Sequence, residues 1–136
     1  MKIFQKLRQL KTLLVDDDEW IRDSMSIFFQ SEGCDLQTLE TAEEALDLMA
    51  TVPYDIVLID YMLPGMNGIS FARALTRLQE KQAQPHPHPP IIKILITAHG
   101  EEEIVTQAME AGFQDIIHKP FTPEAIETAL AQFYNR

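Results

Sequence analysis

Five polar residues stand where short apolar runs end. Asp16 and Asp17 follow Thr12–Val15, Asp60 follows Ile56–Ile59, Thr97 follows Ile91–Ile96, and Lys119 follows Asp115–His118. If those runs are parallel strands, their carboxyl ends share one edge, where open α/β sheets collect reactive groups. Three carboxylates brought to one edge repel one another unless a cation neutralises them. Mg²⁺ suits such a site, because it prefers oxygen ligands and keeps waters that phosphoryl oxygens can replace. Lys119 adds a positive point charge and Thr97 a hydroxyl donor for other oxygens of the same group. Positioning and charge stabilisation carry most of phosphoryl transfer. Asp60 is then the natural nucleophile, forming an acyl phosphate.

Each residue also has a plainer reading. Thr97 would cap a following helix, and a lysine before a proline would simply be exposed. The run Asp16-Asp17-Asp18-Glu19 would be a solvated turn, with Asp17 or Asp18 as an N-cap and the other acids in the first helical turn. Only the set, one polar group per strand end, points to chemistry.

The elements that must position this set read as strand and helix in alternation. Ile56–Ile59, bounded by turn signals, is a strand buried on both faces, followed by a loop with Pro64, Gly65, Asn67 and Gly68. After the acids, a helix with Ile21, Met25 and Phe28 on one face and Trp20, Ser24 and Phe29 at its borders runs to Gly33. Cys34–Leu39 is a weak strand. Thr41–Glu44 matches a capping box, opening a helix that uses Ala45, Leu46, Leu48 and Met49 and closes at Pro53. A third helix spans about Ile69–Gln79. Glu101–Ala111 is helical, with Ile104, Val105, Ala108 and Met109 as its stripe and Gly112 as its stop. Thr122-Pro123 opens the last helix, which uses Ala125, Ile126, Ala129, Leu130 and Phe133. The fold expected is a three-layer, doubly wound α/β domain with a mainly parallel sheet and right-handed crossovers.

Two segments stand outside this alternation. Met1–Lys11 places Ile3, Leu7 and Leu10 at helical spacing, as an N-terminal extension folded back on residues 12–136 or as a contact helix for a partner. Gln79–Pro90, with Pro85, Pro87, Pro89 and Pro90, is an extended surface connector. His86 and His88 lack an obvious third metal ligand there.

Composition limits the function classes. The 136 residues carry 46% hydrophobic and 24% charged residues, ordinary for one globular domain, and a formal net charge of −10. That charge argues against direct nucleic-acid binding, which rests on Lys and Arg meeting phosphates. Cys34 is the only cysteine, so no internal disulfide forms. No run is long enough for a membrane span, and no signal peptide is readable, so a cytoplasmic setting is expected. With neither a Walker-type loop nor G-x-G-x-x-G, nucleotide binding is not indicated.

The motifs VDDDE at 15–19, LIDYMLPGMNG at 58–68, ITA at 96–98 and HKPF at 118–121 resemble the receiver (CheY-like) domain of two-component response regulators, in family order and near family spacing over about residues 11–134. The resemblance implies a flavodoxin-like (βα)5 fold with a five-stranded parallel sheet in the order 2-1-3-4-5. It implies that Asp60 takes a phosphoryl group from a histidine of a sensor kinase or phosphotransfer protein. Asp17 would bind Mg²⁺ directly, Asp16 would assist, and the Met62 main-chain carbonyl would complete the protein ligands. Thr97 and Lys119 would bind phosphoryl oxygens, and a cis peptide would fall at Lys119–Pro120. Met62, Ala98 and His99 neighbour the site and would tune acyl-phosphate lifetime. Many members carry Tyr or Phe three positions before the lysine. Ile116 stands there, which removes the aromatic part of the switch from the expectation and leaves movement at Thr97 in it.

The main expectation is a phosphorylation-dependent switch, a binding module more than a turnover enzyme. It would act on a downstream protein or a second copy through the 101–134 face. The chain length leaves no room for an output domain after the receiver, so the expectation is a stand-alone receiver or a fragment of a longer regulator, with the sequence as given favouring the former. A small Mg²⁺-dependent phosphatase or phosphotransferase would use the same residues, but little chain remains to enclose a substrate. An adaptor with a vestigial site is the third reading, weakened by the completeness of the acid, hydroxyl and lysine set.

Overall fold

In the computed structural model, which describes residues 2–81 and 90–134, five strands form one parallel sheet. They are β1 (Thr12–Val15), β2 (Leu36–Leu39), β3 (Ile56–Asp60), β4 (Ile92–Thr97) and β5 (Asp115–His118), in the order β2-β1-β3-β4-β5. The helices are α1 (Lys2–Leu7), α2 (Glu19–Ser31), α3 (Ala42–Met49), α4 (Gly68–Lys81), α5 (Glu102–Glu110) and α6 (Pro123–Tyr134). The doubly wound α/β expectation and its strand order are both realised.

Side chains on each strand alternate between the two faces, and each face has its own core. Leu14, Ile56, Leu58, Ile94, Ile96 and Ile117 meet α1, α2 and α6, whereas Leu13, Val15, Val57, Ile59 and Leu95 meet α3, α4 and α5. The central strands β1 and β3 are buried along their whole length, as their continuous apolar runs require.

Local signals set the helix starts. Asp18 caps α2, its Oδ1 accepting from the amides of Trp20 and Ile21 at 2.9 and 3.4 Å. Thr41 and Glu44 close a full capping box on α3. Thr122 Oγ1 accepts from the Ala125 amide at 3.3 Å, with Pro123 as the first helical residue.

The structure corrects several details. Phe29, expected at the border of the α2 face, is fully buried, while Trp20 is 78% exposed. Met109, expected in the α5 stripe, is also exposed, leaving Ala108 as the buried residue of that helix. Both changes follow from where neighbouring elements lie, not from helical period. Helix α3 ends at Met49, before Pro53. Cys34 precedes β2 and is buried in the core, its Sγ donating to the Phe4 carbonyl. Helix α4 continues through Lys81, so residues 79–81 are helical rather than part of an extended connector. The rest of that connector, His86 and His88 included, lies outside the described residues, apart from Pro90.

The first helix does fold back on the domain. Ile3, Phe4 and Leu7 are buried, and Phe4 makes edge-on contacts with Phe28 and Phe29 at 5.2 and 6.2 Å between ring centroids. Leu10, read as part of this face, lies past the helix and is only half-buried; Phe4 takes its place.

Candidate functional site

Strand register assembles the polar set. Val15 pairs with Ile59, and Asp60 pairs with Ile96. Asp16 and Asp60 therefore leave adjacent strands at one level, and Thr97 follows one residue further on β4. Thr97 in turn pairs with His118, which puts Lys119 just past the end of β5. The Lys119 amide donates to the Thr97 carbonyl at 2.9 Å, and the Lys119–Pro120 peptide is cis.

One carboxylate oxygen from each of Asp16, Asp17 and Asp60 falls within 4.8 Å of the others. Asp16 and Asp60 are buried, whereas Asp17 faces solvent. Lys119 Nζ donates to Asp60 Oδ2 at 2.9 Å and lies 3.1 Å from Asp16 Oδ2. The second contact is not aligned as a hydrogen bond, so Asp16 Oδ2 is fully buried with only charge attraction to hold it. That oxygen is paired with an ammonium but has no aligned donor, so it can still accept a further cation. Three carboxylates with no nitrogen or sulfur donor among them make an all-oxygen set that suits a hard divalent ion such as Mg²⁺.

The charges hold each other in opposite ways. Burial pushes the Asp60 carboxyl above its ordinary range, the Lys119 hydrogen bond and the Met62 amide pull it down, and the Asp16 charge pushes it up again. The net direction is up. Burial works against the Lys119 ammonium, but its hydrogen bond to Asp60 and the attraction of Asp16 and Asp60 outweigh it and raise its value. Lys119 is therefore held charged between two acids.

The remaining anticipated residues divide. Thr97 lies at the same edge and is buried, but its hydroxyl accepts from the His99 amide at 2.8 Å and donates to the His99 carbonyl at 3.2 Å. That hydroxyl is engaged in its own turn, not with Asp60. Ala98 and His99 are exposed beside it; His99 meets Tyr61 edge-on at 6.3 Å and its Nδ1 lies 3.6 Å from Glu101 Oε1. Met62 is 58% exposed on the loop after Asp60. Ile116 pairs with Leu95 and packs half-buried against the α3–α5 side of the core, below the site edge. Gly68, ending the β3–α4 loop, packs where a side chain has no space: an added methyl would lie 2.7 Å from the Asp60 carbonyl oxygen and 2.9 Å from Leu95 Cδ1.

Arg22 is a contributor that motif reading did not single out. Its guanidinium donates to the Asp16 carbonyl at 2.8 Å and reaches Glu40 at 3.5 Å, tying α2 to the strand end that carries the acids. An arginine one turn into a helix carries no sequence signal for such a contact.

A family model described as the response regulator receiver domain matches residues 12–131. The chain belongs to this receiver family. It is 35% identical over 118 residues to the transcriptional regulatory protein ResD of Bacillus subtilis (strain 168), covering 87% of this chain and 45% of that protein. It is 33% identical over 124 residues to the phosphate regulon transcriptional regulatory protein PhoB of Pseudomonas aeruginosa, covering 91% of this chain and 51% of that protein. The receiver thus spans about half the length of the curated relatives it matches. Among solved structures, a Francisella response regulator 1452 receiver domain aligns with a TM-score of 0.78 at 27% identity, over 93% of this chain and 98% of that one. A BeF3-activated DrrB receiver domain aligns with a TM-score of 0.74 at 30% identity, with the same coverage. Among the described residues no helix is long and apolar enough to cross a membrane.

Proposed function

We propose that Asp60 is the phosphoacceptor of this receiver and takes its phosphoryl group from a histidine of a sensor kinase or phosphotransfer protein. The observation that carries this reading is the buried Asp60 carboxylate, bridged to Asp16 by Lys119 beside Asp17. An Asp60 oxygen attacks phosphorus in line, the P–N bond to the donor imidazole breaks, and its electron pair returns to the ring. Lys119, already 2.9 Å from an Asp60 oxygen, follows the developing charge on the phosphoryl oxygens. Thr97 joins it only if its hydroxyl leaves the His99 backbone, which makes this turn the moving part of the switch.

Asp16, Asp17, Asp60 and the Met62 main-chain carbonyl would hold Mg²⁺, and the ion supplies charge neutralisation for oxygens crowded at this edge. The same site hydrolyses its own adduct: water attacks phosphorus, the Asp60 carboxylate leaves, and inorganic phosphate is released. Met62, Ala98 and His99 border the path of that water and set the adduct's lifetime.

Residues 12–136 form the switch, and residues 1–11 an extension to it that packs through Ile3, Phe4 and Leu7. Its output is a changed affinity of the 101–134 face for a protein partner or a second copy. Ile116 offers no ring to reorient, so the change passes through Thr97. The relatives' names point to transcription as the end of such a pathway. A receiver with formal charge −10 serves it through protein contacts rather than by binding nucleic acid itself. A cytoplasmic location follows from that role and suits a free Cys34 thiol.

Intact mass after incubation with acetyl phosphate and Mg²⁺ tests the reading. One added phosphoryl group on the wild type, absent from Asp60→Asn and absent without Mg²⁺, is the expected result. No adduct with acetyl phosphate, and no response to beryllofluoride, would overturn it. Continuous turnover of small phosphomonoesters would favour a phosphatase instead.

A further inference from the structure

Glu43 lies in the first turn of α3, and its side chain reaches the loop that follows β3. Its Oε2 accepts a hydrogen bond from the Met66 amide at 3.1 Å, across 23 positions of sequence. Gly65 makes this approach possible. A methyl group placed on that glycine would stand 2.6 Å from the same carboxylate oxygen, and its φ of +78° is one that L side chains rarely adopt.

The two ends of the loop are held by other bonds. Tyr61 donates its amide to the Ile96 carbonyl at 2.8 Å, and Gly68 donates to the Tyr61 carbonyl at 3.0 Å. Asn67 Oδ1 accepts from the Ser70 amide at 2.8 Å. Between those ends stand residues 62–66, whose Met62 amide steadies the Asp60 carboxylate. Apart from Asp60, the described residues show one side chain from outside the loop that bonds to this stretch, and it is Glu43.

We propose that Glu43 is a positioning residue for the receiver site, pinning the 62–66 loop so that the Met62 backbone stays presented to Asp60 and its neighbouring acids. The inference rests on the function proposed above for those acids. A loop held in place before binding loses less freedom when an ion or phosphoryl group arrives, so affinity rises without any contact from Glu43 to either. Hydrogen-bond acceptance is the property used. Glutamine, which keeps a carbonyl oxygen at the same reach, therefore preserves it and alanine does not.

The test compares the full-length wild type with Glu43→Ala and Glu43→Gln by three readouts. Amide hydrogen exchange at Met66 is measured in metal-free protein, Mg²⁺ half-saturation by calorimetry, and phosphoryl uptake from acetyl phosphate by intact mass. In Glu43→Ala, Met66 exchange should quicken and the Mg²⁺ half-saturation point rise about fivefold, the scale of one ordinary hydrogen bond. The thermal midpoint of the metal-free protein should barely move, since Glu43 is exposed, and Glu43→Gln should restore both losses. An unchanged Mg²⁺ half-saturation in Glu43→Ala would overturn the proposal, as would a glutamine variant as impaired as the alanine one. Failure of the wild type to take up a phosphoryl group would strike the proposed function, while exchange and Mg²⁺ binding would still decide the role of Glu43.

Discussion

Two partly buried lysines sit at opposite ends of the same sheet and titrate in opposite directions. Lys119 lies just past the carboxyl end of β5 and is raised, because Asp60 and Asp16 outweigh its burial. Lys93, near the start of β4, is lowered by burial alone. Its Cε and Nζ lie over Gly112, where an added methyl would touch them at 3.5 and 3.6 Å. No described carboxylate stands within salt-bridge distance of it. The desolvation is of one kind at both places; only the counter-charge differs. At one edge three acids and a lysine make a site, and at the other a lone ammonium is a tolerated liability.

The largest effect should come from breaking the paired lysine. Lys119→Met removes the cation between two buried carboxylates, and an uncompensated buried acid pair should lower stability by about 3 kcal/mol. Urea denaturation of metal-free protein at neutral pH should show a lower midpoint with an unchanged slope. A midpoint equal to that of the wild type would mean that solvent, not Lys119, balances the acids. The sign of the lysine's own linkage agrees. With its folded value above the ordinary 10.5, its stabilisation is fully present below 10.5 and is lost only as pH rises through the higher folded value.

A smaller effect of opposite sign should follow from neutralising the proposed phosphoacceptor. Asp60 has a folded value above the ordinary 3.8, so between the two the folded chain holds more protons and stability falls as pH rises. Asp60→Asn should therefore stabilise the metal-free protein at neutral pH, by about 1 kcal/mol or a few degrees in thermal midpoint. The advantage should shrink as pH drops toward 3.8. Added Mg²⁺ should reverse the ranking, because only the wild type keeps the full acid set. Calorimetric scans of both proteins across pH, with and without Mg²⁺, check all three statements.

The same contrast explains what was legible in the sequence. Strands β1 and β3 could be read because Leu13–Val15 and Ile56–Ile59 are apolar on both faces, a pattern that suits a covered strand, and the helices between strands made the sheet parallel. Once the strands run parallel, their carboxyl ends share a level, so Asp16, Asp60, Thr97 and Lys119 converge without further information. Capping at Asp18 and Thr41 was equally readable, being local chemistry. Contacts made by placement were not. Phe29 and Phe28 are neighbours on one helix, and which of them faces inward depends on where α1 lies. Phe4 completes that contact although the i, i+4, i+7 spacing pointed to Leu10. Arg22 reaches the Asp16 carbonyl and Glu43 reaches Met66 through tertiary geometry that no short motif encodes. The Thr97 hydroxyl was placed on the right edge, but its bond to the His99 backbone depends on a rotamer and on the turn that follows.

The smallest effect tests the other lysine. Lys93→Met keeps an unbranched chain out to Cε and removes the terminal ammonium, which has no described acid to meet. Methionine's flexible thioether should fill the space over Gly112 without strain. The gain should be about 1 kcal/mol near neutral pH, modest because the side chain is only partly buried. The pH dependence separates charge from packing. Because the folded value of Lys93 lies below 10.5, the unfolded chain holds more protons in the interval between them, and wild-type stability rises with pH there. The advantage of Lys93→Met should therefore narrow as pH climbs toward 10.5. A gain that stays constant with pH would come from packing alone. A loss of stability at neutral pH would show that Lys93 has found a favourable partner after all, and the two lysines would then differ in degree rather than in kind.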